Sequence, residues 1–314
     1  MNQKQILELA IKMGTKADLR GEEAVAKHLA RQKKRYDSLA AGKKEDFDKD
    51  KLTNPYMDSG IWVDDGHLVK KAMAGIDVSS GDILIAKQLG VDCVINHHPI
   101  GKGLAAFDNV MHMQADILAS YGVPINIAES LLKVRISEVA RSVNWANHYK
   151  TVDAAKLLGV NLMNIHTPCD NLVASFLKAK VEKEKPEYVG ELMKLIAEIE
   201  EYKESARRGA AVKLIAGSED NRAGKIAMTE ITGGTEGSKL IYKEMANVGI
   251  GTIVAMHLSE EHRKNAEEAH INVVMATHIA SDSLGMNLFL DELEKKGIKI
   301  IPYGGLIRVK RFKK

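Results

Sequence analysis

The feature that most constrains this chain is a pair of adjacent histidines just beyond a short apolar segment. Residues 91–95 are mostly apolar and β-branched, which predicts a buried strand, and His97 and His98 come just after it. Pro99 ends the strand and keeps His98 extended, and in an extended segment consecutive side chains point to opposite sides. The pair can therefore serve two neighbouring positions, such as two metal ions, at the strand end where α/β sheets collect ligands.

A second apolar segment ends in the same way. Residues 161–165 predict a strand, His166 follows it, and Asp170 lies four residues further on, at the start of a predicted helix. An aspartate in that position either caps the helix or acts as a preoriented metal ligand. The repeated order of strand, histidine and carboxylate predicts further ligands for one site.

Two histidine–carboxylate pairs near the C-terminus compete to complete that site. His257 with Glu261 and His278 with Asp282 both follow predicted strands, and both have a spacing of four residues. Across the start of a helix, this spacing brings two side chains to one side. The residues alone do not decide which pair binds metal. For either pair, the alternative is a purely structural role, with the carboxylate capping a helix and the histidine at the surface.

Strands and helices alternate along most of the chain, which predicts an α/β fold. We expect two α/β halves with mostly parallel or mixed sheets flanked by helices, and a metal site in the cleft between them. The predicted strands are 62–63, 72–76, 91–95, 123–128, 161–165, 212–216, 225–229, 252–256, 272–276 and 299–303. The predicted segments are a helical N-terminal extension (1–54), a first half with a helical insertion (55–179), a charged helical connector (180–209) and a second half (210–314).

Composition and charge exclude several function classes. With 45% apolar and 28% charged residues, the chain is typical of a globular protein, and its net charge of +3 is too small to indicate nucleic-acid binding. The basic run at 31–36 is offset by the acidic stretch at 45–50, so a solvated helix face is the better prediction.

The cysteine content and the hydropathy pattern predict a cytoplasmic protein. Only Cys93 and Cys169 are present, and nothing in their placement indicates a disulfide framework. No apolar run reaches the roughly 18 residues that a membrane span needs, and the first ten residues lack the apolar core of a secretion signal.

Three blocks taken together resemble the Nif-three-like dinuclear metal-centre family, which is also labelled GTP cyclohydrolase type 2-like. The resemblance covers about residues 58–310. The blocks are Cys93-Val-Ile-Asn-His-His-Pro99, which is similar to the family's HHP signature, His166-Thr-Pro-Cys-Asp170, which resembles HTNxD, and Glu261-His262 with Thr277-His278-Ile-Ala-Ser-Asp282, which resembles a histidine followed by GHxxxE. Asp282 stands where that motif has glutamate, and Thr277 stands where it has glycine.

The resemblance implies which residues bind metal and decides between the two late pairs. The implied ligands are His97, His98, His166, Asp170, His278 and Asp282, with His257 and Glu261 left out. A set of imidazoles and carboxylates suits two divalent ions chosen from Zn, Fe, Mn, Co and Ni. We expect Asp170 to bridge the two ions and His262 to act as a supporting or proton-shuttling catalytic group.

Two metal ions with a water between them predict a hydrolase, in which a metal-bridging hydroxide attacks a nucleotide, a phosphoester or a related heterocycle. Lys102 and the Gly-rich turn at 233–237 are candidates for holding an anionic small-molecule substrate. The alternative function is a non-enzymatic metal-binding ring or a scaffold for protein partners. The resemblance also implies a homo-oligomer, commonly a hexamer.

Overall fold

The computed structural model describes residues 1–312, so the last two residues of the predicted second half lie outside the described range. Nine strands are present in that range: β1 (Gly60–Val63), β2 (Lys71–Gly75), β3 (Cys93–Asn96), β4 (Leu162–Asn164), β5 (Lys213–Ala216), β6 (Lys225–Glu230), β7 (Ile250–Ala255), β8 (Asn272–Met275) and β9 (Lys299–Tyr303).

Fourteen α-helices are found in the same residues. They are α1 (Gln3–Ala17), α2 (Glu22–Asp37), α3 (Ala41–Glu45), α4 (Ser80–Gln88), α5 (Gly101–Ala105), α6 (Met113–Ser120), α7 (Ile125–Asn144), α8 (Lys150–Leu158), α9 (Thr167–Glu184), α10 (Val189–Ala197), α11 (Glu200–Arg207), α12 (Tyr242–Asn247), α13 (Glu260–Glu268) and α14 (His278–Lys295). Two short 3-10 helices cover Lys49–Leu52 and Phe107–His112.

The strands form two sheets with the same design. The first has the order β1-β4-β3-β2-β9 and the second has the order β5-β8-β7-β6. Every neighbouring pair is parallel except at one edge of each sheet, where β1 pairs antiparallel with β4 and β5 pairs antiparallel with β8. Three parallel strands therefore recur, with β2, β3 and β4 in the first half corresponding to β6, β7 and β8 in the second.

Helices cover both faces of each sheet. The outer face of the first sheet packs on α4 and α8, and the outer face of the second packs on α6, α7, α12 and α13. Between the sheets lie α9 and α14, whose apolar residues belong to both central clusters. This layered arrangement confirms the predicted class of two α/β units with mixed sheets and flanking helices.

The strand predicted at 123–128 is wrong, because this segment starts a long helix. Pro124 precedes the first residue of α7, a position where its fixed φ and missing N–H are tolerated. Ala128, Leu132 and Val139 are the buried residues of α7, and their helical spacing places them on the core face. The apolar run Val123–Ala128 alone did not distinguish a strand from the start of a buried helix.

The last strand pairs with the first sheet rather than with the second half. β9 runs parallel to β2, with Ala72 opposite Ile300 and Gly75 opposite Tyr303. The predicted segment boundary at residue 210 had assigned this strand to the second half. Residues from both ends of the chain therefore complete the first sheet and its core.

The predicted extension and connector both contribute to the core. Ile6 and Ala10 of α1 are buried against the first sheet. Leu192 and Ile196 of α10 are buried in the cluster beside the second sheet, together with Tyr202 of α11. Most charged residues of these helices face solvent, although Glu201 of α11 is buried, so the charge runs concealed an amphipathic pattern.

Length and hydropathy of the helices bear on the membrane question. No helix in the described part of the chain combines the length and the apolar character that crossing a bilayer requires.

Candidate metal centre

The candidate site lies at the carboxyl ends of adjacent parallel strands. His97 and His98 follow β3, and His166 follows β4, its parallel neighbour. In the second sheet His278 follows β8 and begins α14. Because parallel strands end at the same edge of a sheet, their terminal residues converge there.

Two helices bring the carboxylates to the same place. Asp170 lies in the first turn of α9 and Asp282 in the first turns of α14, each four residues after a histidine. The two helices pack closely at Gly285, where an added Cβ would lie 2.2 Å from the backbone carbonyl oxygen of Cys169. Only a residue without a Cβ permits this approach, which holds the two aspartates near each other.

The imidazoles and carboxylates form two overlapping groups. In one, His97, His98 and Asp282 have ligand atoms that lie within 4.8 Å of one another, and in the other His97, His166 and Asp170 do so. The shortest approaches are His97 Nε2 to Asp170 Oδ1 at 3.3 Å, His97 Nε2 to Asp282 Oδ1 at 3.6 Å, His98 Nε2 to Asp282 Oδ2 at 3.3 Å, His166 Nε2 to Asp170 Oδ2 at 3.6 Å and His278 Nε2 to Asp282 Oδ2 at 3.4 Å.

Hydrogen bonds on the far side of three imidazole rings orient them. Nδ1 of His97 lies 2.9 Å from the carbonyl oxygen of Ile165, and Nδ1 of His98 lies 2.7 Å from the Asp77 carboxylate. Nδ1 of His166 lies 2.7 Å from the Asp58 carboxylate. When Nδ1 donates in each case, the lone pair of Nε2 points into the centre, as in histidine ligands of metals.

Several buried polar atoms at the centre find no hydrogen-bond partner within residues 1–312. They are Nε2 of His97, Oδ1 of Asp170 and both carboxylate oxygens of Asp282. Leaving such groups unpaired in a protein interior is costly, and buried charges are normally paired or coordinate a metal. The donor set, its orientation and its unpaired atoms all fit divalent metal ions.

Burial and neighbouring charged groups shift the pKa values of three histidines at the centre. Burial lowers the pKa of His98, but the nearby carboxylates of Asp282 and Asp77 outweigh it and raise the pKa to about 9. Burial is likewise outweighed at His97, where Asp282 and Asp170 raise the pKa well above the ordinary value. Burial and the neighbouring histidines lower the pKa of His278, so its ring is neutral at pH 7.

The second half supplies the opposite wall of a small pocket over the centre. Glu230, Glu236 and His257 line it together with Asp170 and Asp282, and its volume is about 20 Å³. Nδ1 of His257 lies 3.4 Å from Oε1 of Glu236. His257 follows β7, so it occupies the position in the second half that His97 and His98 occupy in the first.

Of the competing sequence candidates, His257, His278 and Asp282 line the small pocket, and Glu261 does not. Glu261 is exposed and pairs with Lys239 at 2.5 Å, away from the pocket. His262 is buried with Nδ1 2.6 Å from the hydroxyl of Ser259 and Nε2 3.0 Å from the carbonyl oxygen of Gly237, and it does not line the small pocket. His278 and Asp282 lie at the centre, as the resemblance implies.

Lys102 and the Gly-rich turn are engaged within the protein. The Lys102 ammonium lies 2.6 Å from Asp48 and 3.1 Å from Asp50. The Gln114 amide donates to the carbonyl oxygen of Thr235 at 2.7 Å, and the backbone N–H of Thr235 faces the sulfur of Met111. These contacts give the turn a structural role and leave Lys102 neutralised by two carboxylates.

Sequence reasoning missed the carboxylates that support the ligands. Asp58 is fully buried and contacts both His166 and the hydroxyl of Thr167, although more than 100 residues separate it from them. Asp77 offered a signal, because it follows β2, the parallel neighbour of β3. Asp58 offered none, since it lies in a loop before β1 with no pattern around it.

A protein-family model described as Duf34/NIF3 (NGG1p interacting factor 3) matches residues 44–303. This chain belongs to the Duf34/NIF3 family. Its structure is similar to that of a NIF3 superfamily protein from Sphaerobacter thermophilus, with a TM-score of 0.69, 27% sequence identity, and coverage of 80% of this chain and 92% of that one. A search of curated proteins gives no match.

A second solved structure is similar to this NIF3-family chain in fold only. Reduced HcgD from Methanocaldococcus jannaschii is 19% identical, with a TM-score of 0.51 and coverage of 78% of this chain and 88% of that one.

Within the NIF3 family, the departure at Thr277 has a visible structural effect. Thr277 has a φ of 65°, a conformation that β-branched residues adopt only under strain of about 1–3 kcal/mol. Glycine, which the resembling motif has here, takes this conformation freely. The backbone thus keeps a glycine-like turn before His278, whose Nε2 lies 3.3 Å from Nε2 of His98.

Proposed function

We propose that this protein binds two divalent metal ions and is a metal-dependent hydrolase. The observation that carries the proposal is the set of unpaired buried atoms on His97, Asp170 and Asp282, surrounded by imidazoles whose Nε2 atoms face inward. One ion would be held by His97, His166 and Asp170. The other would be held by His98, His278 and Asp282.

We assign the bridging role to Asp282 rather than to Asp170. The two oxygens of Asp282 face different groups, with Oδ1 towards His97 and Oδ2 towards His98 and His278. The oxygens of Asp170 face only His97 and His166, which belong to one group. This geometry supports a shared Asp282, in spite of the shorter side chain that it has in place of glutamate.

The chemistry of the site divides between the metals and the chain. When bound, a pair of such ions polarises a substrate oxygen and activates a water molecule near neutral pH. Asp58, Asp77 and the carbonyl of Ile165 hold the ligand imidazoles in their orientation and tautomer. The atoms that would bind the ions are imidazole nitrogens and carboxylate oxygens. This donor set favours a borderline metal such as Zn, Fe, Mn, Co or Ni.

We place the proton-handling role at the pocket wall. His257 faces the pocket and is held by Glu236, whose other carboxylate oxygen lies 3.5 Å from Nδ1 of His262. His257 is therefore the histidine positioned to give or accept a proton from a bound substrate. The role predicted for His262 remains a proposal, as a relay group behind Glu236.

A turnover assay on metal-loaded protein tests the function. Nucleotides, nucleosides and phosphoesters such as bis(p-nitrophenyl) phosphate are supplied with each candidate metal. We expect turnover of at least one substrate class by the wild-type chain and a return to the rate of the buffer in His97→Ala. Glu268→Gln, which changes an exposed carboxylate at the end of α13 outside the pocket, is expected to keep full activity. Absence of turnover despite full metal occupancy would instead support the metal-binding ring or scaffold.

Metal affinity is expected to rise with pH up to about 9, the raised pKa of His98. Below its pKa the imidazole carries a proton that competes with the metal, and His97 behaves in the same way. The apparent affinity should therefore increase about tenfold per pH unit for each displaced proton. Calorimetric titration with Zn²⁺ in buffers of different ionisation enthalpy measures the number of protons released. A metal affinity that does not change with pH between about 6 and 9 would contradict this prediction.

We also propose a homo-oligomer, with the hexamer implied by the family resemblance, and a cytoplasmic location. Trp145 and Leu157 are large apolar side chains that are almost fully exposed, which supports a covered surface in the assembly. Both cysteines are free and buried, in keeping with a reducing compartment.

A further inference from the structure

A groove of about 490 Å³ lies beside the small pocket over the metal centre. Its walls come from α7, from the loop between β6 and α12, and from the start of α13. The small pocket holds about 20 Å³, which is room for little more than a water molecule. Glu236 lines both spaces, so the groove and the small pocket share one side chain.

Three aliphatic side chains give the groove part of its surface, and two of them are open to solvent. Leu131, Val134 and Leu240 line it, with Val134 63% exposed and Leu240 58% exposed. Three serine hydroxyls, those of Ser130, Ser238 and Ser259, lie among them. A volume of this size is typical of sites for small organic molecules, and here the aliphatic side chains offer an apolar contact beside hydrogen-bonding groups.

The charges of the groove exclude a strongly anionic ligand. Its two cations are already neutralised, since Arg135 lies 3.4 Å from Glu138 and Lys239 lies 2.5 Å from Glu261. Glu236 adds a third carboxylate, which lies 4.0 Å from Arg135 and 3.5 Å from Nδ1 of His262, so the carboxylates outnumber the arginine and lysine side chains. Phosphate groups placed here would meet negative charge without a free partner, whereas neutral or cationic groups would not.

We propose that this groove binds the non-reacting part of the substrate, and that this part is an apolar or aromatic group that carries no phosphate. The proposal rests on the hydrolase function for its link to the metals. The ligand class is therefore an amphipathic molecule that is neutral or cationic outside its reacting group, in contrast to the polyphosphate that an anion-binding turn would hold.

Two fluorescent probes with one skeleton test the ligand class on metal-free protein. N-phenyl-1-naphthylamine is uncharged, and 8-anilino-1-naphthalenesulfonate adds a sulfonate to the same rings. We expect the uncharged probe to bind with one site per chain and the sulfonate to bind at least about tenfold more weakly. Double substitution Glu138→Gln and Glu261→Gln removes the carboxylates nearest Arg135 and Lys239, and should bring the sulfonate's affinity closer to that of the neutral probe.

Substitutions in the groove test whether the neutral probe binds there. Leu240→Asp and Val134→Asp, both at exposed positions that do not support the core, are expected to weaken binding of the neutral probe by about tenfold or more. Leu68→Asp changes a leucine that is 61% exposed and lies outside the groove, and this matched control should bind as the wild type does. Thermal melting verifies that each variant is folded.

The outcomes separate this proposal from the hydrolase function. Equal or tighter binding of the sulfonate, or equal losses in Leu240→Asp and Leu68→Asp, would overturn the groove as a site for a neutral apolar group. Probe binding is measured without metal, so a lack of turnover in the assay on metal-loaded protein does not change this result. If the probe binds in the groove and the protein has no activity, the groove stands and the hydrolase function fails.

Discussion

Replacing Asp282 with asparagine is expected to remove both metal ions. The two oxygens of this buried carboxylate face the two groups of imidazoles, and an amide turns a donating NH₂ towards one of them. Loss of a residue that merely supports a ligand costs about 10- to 100-fold in affinity, so loss of a shared ligand should exceed that. Elemental analysis of protein purified without added metal, followed by calorimetric titration with Zn²⁺, measures the effect.

Asp170→Asn is the variant that makes this prediction specific. Its carboxylate faces only His97 and His166, so we expect this change to remove one ion and leave the other. Glu261→Gln should retain both ions. If Asp170→Asn removed both ions and Asp282→Asn removed one, then Asp170 would be the bridge, as the sequence had suggested.

Gly285→Ala is expected to destabilise the fold and to weaken metal binding together. The added Cβ would lie 2.2 Å from the carbonyl oxygen of Cys169, so α14 has to move away from α9. Overpacking of this kind costs about 1–3 kcal/mol, and more where backbone must shift. Asp170 directly follows Cys169, and Asp282 lies about one helical turn before Gly285, so the separation of the two aspartates should widen as well. Thermal melting and metal titration measure the two effects.

Gly81→Ala is a matched control for that substitution. Gly81 is also helical, in α4, and its nearest neighbouring atom would be the Ser79 hydroxyl at 3.9 Å, an ordinary contact. Alanine has the higher helix propensity, so this variant should melt at the same temperature or slightly above. A Gly285→Ala protein that melts like the Gly81→Ala protein and keeps its metal affinity would contradict the close-packing argument.

Local patterns carried most of the secondary structure. All the predicted strands except 123–128 correspond to strands in the described residues, because short β-branched runs bounded by glycine, proline and aspartate are buried in parallel sheets. The histidines that follow β3, β4 and β8 were visible for the same reason. The position of a strand end along the chain indicates the edge of the sheet to which its next residue goes.

Long-range pairing was beyond the sequence pattern. That β9 joins β2 depends on the packing of α14 between the sheets, and no local feature of residues 299–303 reports it. The contact between Asp58 and His166 likewise depends on how β1 and β4 pair. Choosing His278 over His257 required the resemblance, because both follow parallel strands and both lie near the pocket.

The location of β9 has a consequence for how a newly synthesised chain folds. While the ribosome is still producing the C-terminal part, β2 has no partner on one side, and its N–H and C=O groups form an open edge. We therefore expect the open edge of β2 to remain able to pair with other chains until residues 299–303 have been synthesised and pair with it. Molecular chaperones that recognise such edges should act on the nascent polypeptide, and truncation just before Lys299 should yield aggregates.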